Sequence, residues 1–223
     1  MQPQSNRIIL FGVRSPVTVE YEETCRRLGL TISAAVSVNG APRLLDKSCL
    51  VEIGAFDAGT ATDPFIACAF TPQRRKALIE MALRLGLRLA PALIDPTAIL
   101  ASSARVGDGT FVNAGVVIGA VSLLGEGVLV NRAVSLGHHT VLGDHVSIGP
   151  AATLAGNIQV GEGAMIGAGS VILPDLRIGA GAVIAAGSLV RRHVPEGAFV
   201  AGHPAVERPF DPTRSTLHVE NGE

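Results

Sequence analysis

From residue 100 onward the apolar positions fall every six residues. Leu100, Val106, Val112, Ile118, Leu124, Val130, Leu136, Leu142, Ile148, Leu154, Val160, Ile166, Ile172, Ile178, Ile184 and Val190 are all Val, Ile or Leu. From Val106 on, the next residue is Gly in nine of fifteen cases and Asn in two more, so a turn residue recurs with the same period. The fourth position after each aliphatic is mostly small or β-branched, as at Thr110, Ser122, Thr140, Ala152, Ala164, Ser170, Ala182 and Ser188. A period of six matches neither a helix nor an alternating hairpin ladder. It predicts a solenoid in which a short strand and a turn together take six residues. One aliphatic and one small residue point inward, and Gly or Asn takes the turn. The strongest turns, such as Val106-Gly107-Asp108-Gly109 and Leu124-Gly125-Glu126-Gly127, recur every eighteen residues. Three sixes make a triangular coil, and stacked coils would lie ~4.8 Å apart.

Before residue 95 the pattern changes. Arg7 to Gly12 reads as a buried strand ending at glycine, and Tyr21, Cys25 and Leu28 follow at helical spacing, with Gly29 placed to stop the helix. Thr31 to Val38 and Pro64 to Phe70 read as strands. Thr71-Pro72 opens a helix whose apolar face holds Leu78, Met81, Ala82 and Leu85, with Gly86 at its end; Leu87 to Leu93 reads as a last short strand. Alternating strands and helices predict a small parallel α/β sheet, Rossmann-like in its alternation. Ligands of such sheets sit at the carboxyl ends of strands, which singles out the turn Gly12-Val13-Arg14-Ser15. The expected units are a small α/β domain over 1–95, a β-helix over 96–206 and a polar tail over 207–223, disordered from Glu207.

Composition narrows the possibilities. Lys and Arg number 18 against 19 Asp and Glu, a net charge of −1, which excludes nucleic-acid binding by phosphate neutralisation and an acidic tail protein. Aromatics are 4% with no Trp, while 26 glycines make about twelve per cent against a usual ~7%. A narrow prism has room for aliphatics and few rings. Cys25, Cys49 and Cys68 form no Cys-x-x-Cys and are odd in number, which points to free thiols in a reducing compartment. The first seven residues lack the apolar region of a signal peptide. The uncharged run Gly109 to Gly125 is broken by four glycines and falls short of the ~20 apolar residues of a membrane span. A cytoplasmic protein without membrane contact is expected.

The hexapeptide repeats resemble those of the left-handed parallel β-helix acyltransferases; the left hand is what the resemblance implies, against the usual right-handed rule. Ile94-Asp95-Pro96-Thr97-Ala98 is similar to the segment joining a small α/β domain to a β-helix in the group of sialic acid O-acetyltransferases and nucleotide-sugar N-acetyltransferases. Ala201-Gly202-His203-Pro204-Ala205 resembles that group's Gly-x-Pro-Ala signature. The likeness spans roughly residues 7 to 206. It implies acetyl-CoA as co-substrate, no metal, and a homotrimer with acyl-CoA between neighbouring prisms.

Leu136-Gly137-His138-His139-Thr140 interrupts the repeat with two histidines at a corner, and one coil later stand Gly156 and Asn157. His138 is therefore expected one strand spacing from an open notch at Gly156. The imidazole suits proton acceptance near neutral pH, and the glycine N–H suits an oxyanion. The resemblance agrees, with the base on His138 and the acyl-carbonyl contact on Gly156; it also places Asn131 facing the acceptor sugar. Relatives carry Glu or Asp where this chain has His139, and often His where it has Ser147. Phe111, Leu129, Ser147, Met165 and Val183 form an outward stripe, read as a trimer contact with Ser147 as a polar gap near the thioester. The resemblance implies that the small corners Ala168 and Ala186 let pantetheine pass. Pro204 closes the donor end, where Arg191, Arg192 and His193 are either CoA-phosphate contacts or solvated charges. Relatives have a Gly-rich turn after the first strand. Here only Gly12 remains, followed by Arg14 and Ser15 as phosphate contacts, and nucleotide binding stays open.

The leading expectation is N-acetylation of a nucleotide-linked amino sugar by direct attack on the thioester. O-acetylation of a sugar or other small alcohol is the alternative, with a non-catalytic trimeric scaffold as the third. Metal-dependent hydratases on β-helices use separated histidines, two of them at His-x4-His, a spacing that His138, His139 and His145 do not match.

Overall fold

The computed structural model describes residues 6–209. Four strands form an all-parallel sheet: β1 (Arg7–Phe11), β2 (Thr31–Ser37), β3 (Leu50–Glu52) and β4 (Phe65–Ala67), in the order β3-β2-β1-β4. Helix α1 (Thr18–Arg27) lies on one side and α2 (Pro72–Arg84) on the other. Gly29 and Gly86 end these helices with positive φ, at 66° and 83°. The expected strand over Leu87 to Leu93 is divided. Leu89 makes a single bridge to Phe65, while Leu93–Ile94 is already the first rung of the solenoid.

The solenoid has three parallel sheets. The first face starts at Leu93–Ile94 and runs through Phe111–Val112, Leu129–Val130 and Ser147–Ile148 to Phe199–Gly202. The second runs from Ile99–Leu100 to Leu189–Val190, and the third from Arg105–Val106 to Arg177–Ile178. Partners are eighteen residues apart, as in Leu129↔Ser147 and Leu136↔Leu154, until the last coil, where Val183 pairs with Phe199. The six-residue aliphatics from Val112 onward fill the prism interior.

Glycine serves a different purpose from the one expected directly after each aliphatic. A Cβ at Gly137 would lie 2.6 Å from the Ala155 carbonyl carbon of the next coil, so that position is small because coils stack on it. The left-handed residue comes two places later, where Gly109 and Gly127 stand, and where His139 (φ 57°) and His145 (φ 60°) also stand.

The first three residues of the outward stripe form an internal interface, which corrects their reading as a trimer contact, while Met165 and Val183 stay half-buried beyond it. Phe111, Leu129 and Ser147 are fully buried beneath the α/β part. The Tyr21 ring stacks on Phe111 at 3.9 Å between centroids. The Arg75 side chain, fully buried, crosses this interface. Its Nε donates to Gly127 O (2.5 Å), its Nη1 to Ala69 O, Phe70 O and Ser147 Oγ (2.8, 3.0 and 2.9 Å), and its Nη2 to His145 O and Val146 O (2.7 and 3.0 Å). Carbonyl dipoles replace a counter-ion, and burial brings the guanidinium down to about 10. At the linker, buried Asp95 accepts from Arg27 Nη1 (2.5 Å), Thr24 Oγ1 (3.0 Å) and Thr97 N (2.9 Å).

The chain closes in a hairpin, Phe199–Gly202 against Ala205–Arg208, through a cis His203–Pro204 peptide. Glu207 and Arg208 are therefore paired, not disordered as expected; the tail beyond residue 209 lies outside the described residues. No described helix is long and apolar enough to cross a membrane.

Candidate functional site

The edge between the second and third faces carries both corner histidines, and both are exposed. His138 and Gly156 share a column, as the eighteen-residue register dictates. The imidazole fills the expected notch. A Cβ at Gly156 would lie 2.5 Å from His138 Cε1 and 2.6 Å from Nε2. Glycine there is the seat of the ring. His138 Nδ1 meets His139 Nδ1 at 3.0 Å, with the rings edge-on at 86°. Nε2 of His138 has no partner among the described residues. Further along the edge, Asn157 Nδ2 donates to Asp175 Oδ1 (2.8 Å) and His193 Nδ1 accepts from the Arg177 N–H (3.0 Å). These four residues, with Gln159 and Leu176, line a shallow cavity of about 280 Å³.

Other residues singled out from sequence stand elsewhere. Asn131, Ala168 and Ala186 lie on the edge between the first and second faces. Asn131 Oδ1 accepts from Asn113 Nδ2 (3.1 Å) and the Arg132 N–H (2.8 Å), and Arg132 Nη1 donates to Glu20 of α1 (2.6 Å). Pro204 sits in the final hairpin, where the Gly202 N–H reaches Ser188 of the same edge at 3.3 Å. Ser147 is corrected. Its hydroxyl donates to Phe70 O (2.6 Å) and accepts from Arg75, fully buried under the α/β part and away from any crevice. Its hydrogen-bonding capacity is used in holding the two parts together.

The loop after β1 ends the central strand of the small sheet. Gly12 is buried with φ 81°, and a Cβ there would lie 2.4 Å from Leu78 Cδ1, so packing against α2 demands the glycine. Arg14 is exposed beside Gly40, Ser15 is half-buried, and the Thr18 hydroxyl that opens α1 is buried without a partner. Arg74 joins them, a residue the sequence reading missed. Its Nε is buried and unpaired, and burial and the neighbouring Arg14 charge lower its pKa. A signal for it was present. Arg74, Arg75 and Lys76 crowd the first turn of α2, where the helix dipole disfavours cations. Arg75 is bound to carbonyls and Lys76 Nζ to Glu162 (2.7 Å), while Arg74 Nε has no partner among the described residues. Among the described residues no group of three or more His, Cys, Asp or Glu is placed to hold a metal ion.

The family described as bacterial transferase hexapeptide (six repeats) matches residues 157–192. Residues 157–192 carry the repeat of that family, and the likeness of the chain to solved acetyltransferases marks it as an acyltransferase. Its likeness to solved structures extends over both parts. Perosamine N-acetyltransferase from Caulobacter crescentus, solved with CoA and GDP-perosamine, superimposes with a TM-score of 0.84 and 28% identity, over 92% of this chain and 97% of that one. The acetyltransferase domain of PglB from Neisseria gonorrhoeae gives a TM-score of 0.81 and 27% identity over 91% and 100%. WeeI from Acinetobacter baumannii, at 23% identity and a TM-score of 0.81 over 90% and 99%, shares the fold. No curated protein sequence matches the chain.

Proposed function

We propose that the protein transfers an acetyl group from acetyl-CoA to the amino group of a nucleotide-linked sugar, with His138 as general base. The observation that carries this is the exposed imidazole seated on Gly156, with Nδ1 held and Nε2 free. The sugar amine attacks the thioester carbonyl and its proton passes to His138 Nε2. The C–S bond then breaks, and the imidazolium returns the proton to the departing CoA thiolate. The Gly156 N–H is the oxyanion donor in this reading. The perosamine enzyme, solved with CoA and a GDP-linked sugar, and the acetyl-CoA complex of the PglB domain support the choice of substrates.

The complete site needs two copies. In one chain the α/β part covers the first face from Phe111 to Ser147 and grips both of its edges, through Glu20–Arg132 on one and Arg75–Gly127 on the other. His138 lies on the third edge, opposite that face. The cradle of Arg14, Ser15 and Arg74, with Asn131 beside α1, therefore serves the histidine of a neighbour. Ala168, Ala186 and Pro204 line the same side for the acyl donor. Of the exposed apolar residues of the solenoid, Ile99, Val117 and Val171 lie on the second face and Val121 and Leu173 on the His138 edge, while Leu123 and Val141 lie on the third face. A homotrimer with second faces inward brings each His138 edge against a neighbour's first–second edge.

The test is thiol release from acetyl-CoA with UDP-, GDP- and dTDP-linked amino sugars. Release with one of them is expected. Release only with hydroxylated acceptors would assign O-acetylation. No release with any, together with no acetyl-CoA binding by calorimetry, would assign a scaffold.

A further inference from the structure

His139 is an imidazole hydrogen-bonded to an imidazole, and that restricts where hydrogens reside. The contact is Nδ1 to Nδ1 at 3.0 Å. Such a contact is a hydrogen bond only when one nitrogen carries hydrogen and the other presents a lone pair. In one arrangement His138 Nδ1–H donates to His139, and His138 Nε2 is a bare lone pair. In the other, His139 donates, and His138 carries its hydrogen on Nε2, where it cannot accept another. Only the first leaves a base at the nitrogen next to Gly156. It also persists through a turnover. When Nε2 takes a proton, the resulting imidazolium keeps donating Nδ1–H to His139, and no atom of the pair has to move.

We propose that His139 is the positioning residue of the site, holding His138 in the Nδ1–H tautomer as a neutral hydrogen-bond acceptor; this rests on His138 being the base. No ion pair among the described residues involves either ring. The groups along the same edge are Val121 one coil before, Asn157 one coil after and Asp175 two coils after, the last bonded to Asn157, with Arg177 and His193 beyond. In the first arrangement the accepting ring carries no charge, and the reacting pair passes from neutral to singly positive. A carboxylate in its place would go from −1 to 0 and favour the protonated base.

His139→Gly is a clean deletion, because glycine already occupies the equivalent corner at Gly127 and Gly163 with φ 59° and 66°. Two readouts apply to the full-length protein. Two-bond ¹⁵N–¹H correlation spectra should show His138 with hydrogen on Nδ1 in the native protein and mainly on Nε2 in His139→Gly. Turnover should fall at least tenfold in His139→Gly with the KM for acetyl-CoA within twofold. His139→Glu should restore most of the rate while moving the acid limb of the pH–rate profile up by about one unit. An unchanged His138 tautomer in His139→Gly would overturn the proposal, as would a rate within twofold of native. The spectra need no substrate, so an expected tautomer in a protein that acetylates nothing would uphold the pair and discard the base.

Discussion

Two corners of the same repeat carry a histidine in the same left-handed conformation, and their environments differ completely. His145 stands between the third and first faces with φ 60°, nearly buried under α2, its Nδ1 without a partner. His139 stands between the second and third faces with φ 57°, exposed, its Nδ1 on His138. Burial, then the Arg75 and Lys76 charges, lowers the His145 pKa against the opposing pull of Asp144 and Glu162. A solenoid makes equivalent edges by repetition. The α/β part docks on the first coils of one face and grips both of its edges, which buries His145 and leaves His139 in solvent.

The largest effect should come from undoing the docking. Arg75→Met leaves five carbonyls and a hydroxyl without their donor and should cost about 3–5 kcal/mol. Chemical denaturation would read this; an unchanged midpoint would mean that the interface is held by its apolar contacts alone. Next comes the open corner. His138→Ala should lose roughly a hundredfold or more in turnover, while His145→Gly should stay within twofold, and similar losses in both would erase the distinction between the corners. Val117→Glu, on the exposed second face, should split the assembly in light scattering and abolish activity without unfolding the monomer. An intact, active oligomer would remove the two-copy site.

The smallest effect concerns pH. The folded pKa of His145 is lowered, so the unfolded chain binds its proton more readily than the folded one. The His145 contribution to stability is then constant above the ordinary imidazole range and declines as pH falls through it. His145→Gly should flatten that decline in denaturation midpoints measured from pH 7.5 to 5.5. An equally steep decline in the variant would assign it to other groups that titrate in that window.

The repeat from Leu100 to Val190 made the prism legible, because each aliphatic has one way to be inside a triangular coil. The neighbourhood of His138 and Gly156 was legible too, since coil length alone fixes which residues stack. The fate of Ser147 was not. An outward apolar stripe looks the same whether a neighbouring chain or the protein's own domain covers it. Arg74 was hidden for a similar reason. Its meaning depends on Arg75 and Lys76 having carbonyl and carboxylate partners on the solenoid.

What the amino-acid sequence determined by itself is what repetition and short-range sterics control: the coil of eighteen, the positions that must be small, and the imidazole that rests on a glycine. Only the tertiary structure decided which face is covered, because that follows from where Arg75 and Tyr21 seat one domain on the other. Contacts between residues seventy or ninety positions apart leave no periodic trace in the chain.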